Sequence, residues 1–207
     1  MGLSGKASIR GEGRDRLIRA AAECFTVGGG AAMSIKDICS HSGASVGTVY
    51  HHFPAGLPDL EAALYLETLA GYQGSFLDEL QRHRSAAAGV KSIVGFHLEW
   101  MAGNVQRAHY LMYFSADWLS GRHLTVLDQM NLHFASTAAA WREPFVVSGH
   151  IRSLPSYVYG AIILGPAQQF ASGVISRRGG EGSSDAIRSA APILADAAWI
   201  AVKGNRG

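Results

Sequence analysis

Cysteine is scarce in this chain of 207 residues, with only Cys24 and Cys39 present, so no disulfide scaffold is available to it. Both fall on inferred buried helix faces, and core packing rather than a redox switch is their expected role. Long hydrophobic runs are missing too. No apolar stretch approaches the ~18 residues of a membrane span, and the N-terminus lacks the hydrophobic segment of a signal peptide. A cytoplasmic protein with no membrane partner is expected. Catalytic signatures are equally absent. The nine histidines include no His-Glu-x-x-His, there is no Gly-x-Ser-x-Gly, and Gly28-Gly-Gly30 precedes no Lys-Ser/Thr that would complete a phosphate cradle. His51 and His52, adjacent on a helix, diverge by ~100° and rarely share an ion. The expectation is no catalytic residue, no metal and no cofactor, which leaves an enzyme the weakest class. A strong charge of one sign is lacking as well, since the net charge is only +2.

What the chain does have is concentrated in Ser34-Ile-Lys-Asp-Ile-Cys-Ser-His-Ser-Gly-Ala-Ser-Val-Gly-Thr-Val-Tyr-His-His-Phe53. Ser34 with Asp37 three residues on forms a capping-box pattern, so a short helix begins near Ile35. Ile35, Ile38 and Cys39 share its buried face. Gly43 ends it, because the turn that follows needs a left-handed backbone, which costs a residue with a Cβ roughly 1–2 kcal/mol. Ser45 caps a second helix whose Val49 and Phe53 bury against the first. Val46, Gly47, Thr48, Tyr50 and His51 are left facing outward. Two short helices joined by one turn make a helix-turn-helix. The outward face suits a DNA groove: Thr48 and Tyr50 donate to phosphate or base edges, Val46 meets a thymine methyl, and Gly47 allows close backbone approach. Ser34, Lys36 and Ser45 complete the candidate DNA-binding set, with Ser34 and Tyr50 on phosphate and Thr48 nearest the bases. Up to Phe53, six Lys and Arg oppose four Asp and Glu. The head therefore holds the whole positive excess. Residues 1–10, with Lys6 and Arg10, read as a flexible basic arm.

Residues Arg14 to Leu64 resemble the DNA-binding domain of the TetR/AcrR family of bacterial transcriptional regulators. The resemblance rests on Leu17-Ile-Arg-Ala-Ala-Ala-Glu-Cys-Phe25 with its stripe of Leu17, Ala21, Cys24 and Phe25, and on the glycine break after Val27. It rests also on Thr48-Val-Tyr-His-His-Phe53, similar to the family's Thr-Leu-Tyr-x-His-Phe, and on Phe53-Pro-Ala-Gly-Leu-Pro-Asp-Leu60. Val46 and Leu57 stand where relatives often carry lysine, so part of the usual phosphate grip is missing. The implied fold is all-α: a three-helix head over residues 11–56, followed by a larger helical effector-binding and dimerisation domain over residues 57–207.

Helices are expected from Pro58 to Arg84, Ala86 to Gly103, Asn104 to Trp118, Arg122 to Phe145, Pro155 to Ser176 and Asp185 to Lys203, with a Gly-rich loop between the last two. The Tyr157 to Phe170 stretch is apolar nearly all round and rich in small residues, so two such helices could approach closely. The resemblance implies that these last two helices pair with those of a second subunit, making Tyr157, Gly160, Ala161, Leu164, Gln168, Ile193 and Ala197 the candidate homodimer interface. Aromatic and thioether side chains are dense between residues 97 and 141. His97, Trp100, Met101 and Tyr110, with Tyr113, Phe114, Trp118 and Trp141, fit either an apolar pocket or an ordinary core. The resemblance favours a pocket for a small apolar or aromatic effector. It also implies a repressor that binds a palindromic double-stranded operator as a homodimer. A helical adaptor binding protein instead of DNA is the alternative, and it would make the outward face of residues 46–51 a coincidence.

Overall fold

The structure, a computed structural model, describes residues 4–27, 33–114, 119, 121–178 and 182–206. Among these residues ten helices follow in order: α1 Ser4–Val27, α2 Ile35–Ser42, α3 Val46–His52, α4 Leu57–Gln81, α5 Ala86–Gly103, α6 Val105–Tyr113, α7 Gly121–Val147, α8 Ser156–Ile163, α9 Gly165–Arg178 and α10 Ser183–Val202. Among the described residues the only extended pairing is an antiparallel bridge between Ile151 and Lys203.

Within residues 1–10, read as a flexible arm, Ser4 onward forms the first turns of α1. Nothing in Ser4 to Arg10 is a proline, so no residue there lacks the N–H that carries a helix into the Leu17 stripe. The single helix expected from Pro155 to Ser176 is two, α8 and α9, meeting at a bend of 42°. Pro166, second residue of α9, has no N–H to give the preceding turn and favours a helix start over a helix interior. No single helix among the described residues is long and apolar enough to cross a membrane.

Contacts divide the chain into two compact units, one of residues 1–68 and 110–124, the other of residues 69–109 and 125–207. The first takes in the start of α4 and the end of α6, so it does not end at residue 56, where the head was expected to stop. Its core is Leu17, Ala21, Phe25, Ile38, Val49, Phe53 and Leu60, all nearly or fully inaccessible. Gly13 lies beside the His52 ring, where a Cβ would stand 3.0 Å from Nε2, so glycine lets α1 approach the end of α3. Tyr110 closes the unit from the α6 side. Its ring meets Phe25 edge-on at 4.9 Å and its hydroxyl donates to the Glu61 carbonyl at 2.8 Å.

In the second unit α5 packs along α10, α9 against both, and α8 against α9 and α10. Val90, Val94, Leu98 and Met101 of α5 are buried, as are Ile187, Ala198 and Val202 of α10. Polar contacts pin the pair at several levels: the Ser184 hydroxyl donates to the Ala102 carbonyl at 2.7 Å, Arg188 grips the Glu99 carboxylate through Nε and Nη2, and Lys91 reaches Asp196 at 2.6 Å. These ion pairs are exposed, so water and salt screen them and each contributes little. The burial of α5 carries the packing.

Candidate nucleic-acid interface and effector site

The turn between α2 and α3 is built as the residues demand. Ser34 accepts the Asp37 N–H at 3.2 Å and its own hydroxyl donates to Asp37 Oδ2 at 2.5 Å. Gly43 takes φ +68° and sends its N–H to the Cys39 carbonyl, closing α2 with a left-handed cap. Ser45 then accepts the Thr48 N–H at 3.1 Å, and the Ser45 and Thr48 hydroxyls lie 2.9 Å apart. With both short helices capped, Val49 at 0% exposure and Phe53 at 2% hold α3 down on the core.

Burying that ridge turns the opposite face outward. Lys36, Ser45, Val46, Gly47, Tyr50 and His51 are exposed, Val46 and Tyr50 to about half of their surface. Ser34 and Thr48 are half-buried. The hydroxyls of both are engaged inside the protein, so each offers a groove less freedom than the exposed Tyr50 phenol does. Tyr50 is also aimed. Its ring lies over Gly56, whose φ is +71° and where a Cβ would stand 3.0 Å from Tyr50 Cε1. A larger residue at 56 would push the ring aside. Gly47 has open space above it apart from the Ser45 hydroxyl at 3.7 Å, so a duplex backbone can come close. Cys24 sits beneath this surface, 3.4 Å from His41 Nδ1. Burial first, and then the nearby Asp37 and Glu23 charges, push its thiol up from the ordinary range. It stays protonated and packs as a small apolar group.

The residues named for an effector separate into several places. Tyr110 and Phe114 belong to the first unit, Phe114 stacking on Tyr65 at 4.7 Å. Met101 is buried along α5. Trp141 is fixed by a hydrogen bond from Nε1 to the His83 carbonyl at 3.0 Å and by packing on Gly89, where a Cβ would lie only 2.1 Å from Cζ2. Trp118 and the Tyr113 side chain lie outside the described residues.

His97 and Trp100 do come together, around a residue the sequence reading passed over, Tyr72 of α4. The Tyr72 ring has Trp100 edge-on at 4.9 Å, Phe96 at 6.0 Å and Phe76 at 6.1 Å, with Phe134 5.1 Å from Phe76. Its hydroxyl lies 2.7 Å from His97 Nδ1. The next residue along, Gln73, donates to the side-chain carbonyl of Asn131 at 3.0 Å. Burial lowers the His97 pKa to about 4, opposed in part by Gln168, so the ring is neutral at pH 7. Burial also holds Tyr72 well above the ordinary phenol range. The signal available in the sequence was spacing: Tyr72 and Phe76 are one turn apart on α4, as are Phe96 and Trp100 on α5.

On α8 and α10 an apolar face is open. Tyr157 is 85% exposed, Ile193 72% and Ile200 67%, with Gly160, Ala161 and Ala197 exposed between them and Leu164 half-buried. These positions follow the three- and four-residue steps of single helix stripes, while Tyr159 and Ile163 bury on the other side. Gln168 differs from its group: its side chain is half-buried and donates to Ser172 Oγ at 2.9 Å.

A capped helix-turn-helix with an outward recognition face, heading an otherwise helical chain, is the mark of a DNA-binding transcriptional regulator. Residues 17–55 match the model of the bacterial regulatory proteins of the tetR family. The fold of the whole chain is similar to a TetR family transcription regulator from Marinobacter aquaeolei VT8, at 17% identity and TM-score 0.68 over 93% of this chain and 96% of that one. It is similar also to a bacterial regulatory protein in the tetR family from Rhodococcus RHA1, at 20% identity and TM-score 0.70 over 93% and 97%. The TetR family transcriptional regulator PfmR from Thermus thermophilus aligns at 19% identity and TM-score 0.58, covering 87% of this chain and 94% of that one. Comparison with curated proteins gives no match. Residues 17–55 are thus similar to the tetR family of bacterial regulatory proteins, and the chain has the fold of solved proteins of that family.

Proposed function

We propose that this protein is a cytoplasmic transcriptional repressor that binds a palindromic operator as a homodimer and releases it when a small apolar or aromatic effector binds the second unit. The observation that carries the DNA side is the exposed row Ser45, Val46, Gly47, Tyr50 and His51, raised on a fully buried Val49. Two such helices set ~34 Å apart would read successive turns of one groove. The open apolar face of α8 and α10 supports the homodimer, since an exposed patch of this kind marks a partner surface. The Tyr72 cluster supports the effector. Release would follow from a population shift: an effector loosens DNA binding only by its differential affinity for the two states of the dimer, a preference of up to ~10⁴-fold for complete switching.

The test is a fluorescence-anisotropy titration against the DNA upstream of the protein's own gene, at two salt concentrations and with unrelated DNA as competitor. Competitor-resistant binding, two subunits per site, is expected. Tyr50→Ala should weaken it at least several-fold while leaving helix content and dimerisation intact. Binding no tighter than the competitor's, at that site and across a genomic fragment pool, would defeat the regulator reading.

A further inference from the structure

Every side chain placed around Tyr72 is uncharged, and one polar atom among them lacks a partner. His97 is 5% exposed. Its Nδ1 is taken up by the Tyr72 hydroxyl at 2.7 Å, whereas Nε2 is buried with no hydrogen bond. Gln168 lies close enough to favour the charged ring, but the hydrogen bond its side chain forms runs from the amide nitrogen to Ser172 Oγ, and His97 Nε2 has no partner. A phenol is a better donor than a neutral imidazole N–H, and imidazole nitrogen the better acceptor, so the favoured polarity is Tyr72 O–H to Nδ1. The proton of the neutral ring then resides on Nε2. That makes Nε2 a buried donor without a hydrogen-bond acceptor, on a ring that meets Tyr72 edge-on. Buried polar groups in folded proteins are rarely left so unless something completes them.

We propose that this cluster binds a neutral, ring-bearing carbonyl compound, a ketone, ester or amide, whose oxygen accepts the hydrogen bond from His97 Nε2 while its apolar body lies against Tyr72, Phe96 and Trp100. The proposal rests on the reading of this region as the effector site and names the chemistry that the site selects. Neutrality follows from the surroundings: a carboxylate or ammonium would be desolvated with no opposite charge among these side chains to meet it. Specificity for an acceptor follows from the orphan, because a ligand without one leaves Nε2 as unpaired as before.

Matched probes separate the two layers. Acetophenone and 2-acetylnaphthalene carry the carbonyl, and ethylbenzene and 2-ethylnaphthalene are their apolar twins. Binding to the full-length protein is read by tryptophan fluorescence, and the histidine ring nitrogens by 15N NMR. At least one ketone should bind about tenfold tighter than its twin, roughly what one hydrogen bond contributes. It should also shift one Nε2 resonance, a peak missing from His97→Leu, and in that variant ketone and twin should bind alike. Equal binding of ketone and twin to the wild type would keep the cluster as a ligand site but overturn the His97 anchor. Binding by none of the four would overturn both. If His97→Leu does not fold, the wild-type Nε2 shift decides alone.

Discussion

Gly43 shows how one residue controls the recognition face. Its φ of +68° lies in the left-handed region, and a Cβ there would meet nothing within 4 Å. The cost of Gly43→Ala is therefore conformational alone, about 1 kcal/mol. A urea midpoint lowered by the equivalent of that cost is expected, with operator affinity reduced as the turn loosens; an unchanged midpoint would mean another residue sets the turn. His97 offers a second test, through pH. Its folded pKa of about 4 lies below the ordinary 6.5. Between these values the unfolded chain takes up a proton that the folded protein refuses. Stability is then complete above pH 6.5 and lost as pH falls toward 4, by up to about 3 kcal/mol. Comparing urea midpoints at about pH 7.5 and 4.5, either side of most of that window, His97→Leu should remove a large part of that loss. An equal acid loss in the variant would assign it to other groups.

At the scale of elements, α5 owes its contact with Trp141 to a missing side chain. A Cβ on Gly89 would stand 2.1 Å from Cζ2, so Gly89→Ala forces the indole or the helix to move, at about 1–3 kcal/mol. A thermal melt that does not fall would show that Trp141 has somewhere else to go. The outer stripe of α8 and α10 behaves differently. Ile193 is 72% exposed, so Ile193→Asp removes little from the fold of one subunit. On the proposed homodimer, sedimentation should find dimers for the wild type and monomers for the variant, with helix content unchanged. A dimer that survives would assign the interface to another surface. The break between α8 and α9 at Pro166 belongs to this scale too. Its composition reads as one apolar segment, and Pro166, with no N–H to give and a ring that crowds the preceding turn, divides it.

Over the whole molecule, α4, α6 and α7 each contribute residues to both compact units. A ligand lodged against Tyr72 and Phe76 therefore touches the same helix whose first turns complete the unit that carries the recognition face. Trp100→Ala should consequently weaken the response of operator binding to a bound ketone at least several-fold while leaving affinity for the operator itself nearly unchanged. A parallel loss of both in the anisotropy assay would make Trp100 a structural residue only.

Local order was legible in the residues alone. Caps at Ser34 and Ser45, the left-handed glycine, and the buried Ile38, Val49 and Phe53 depend on neighbours within a few positions, which sequence displays directly. The exposed Tyr157 and Ile193 follow from the same helical periodicity. Tertiary structure alone decided which aromatic side chains meet. Tyr110 and Phe114 went to the first unit and Trp141 to Gly89, while Tyr72 joined His97 across 25 positions of sequence. Composition cannot foresee such meetings, because apolar attraction has no direction and packing geometry alone chooses the partners.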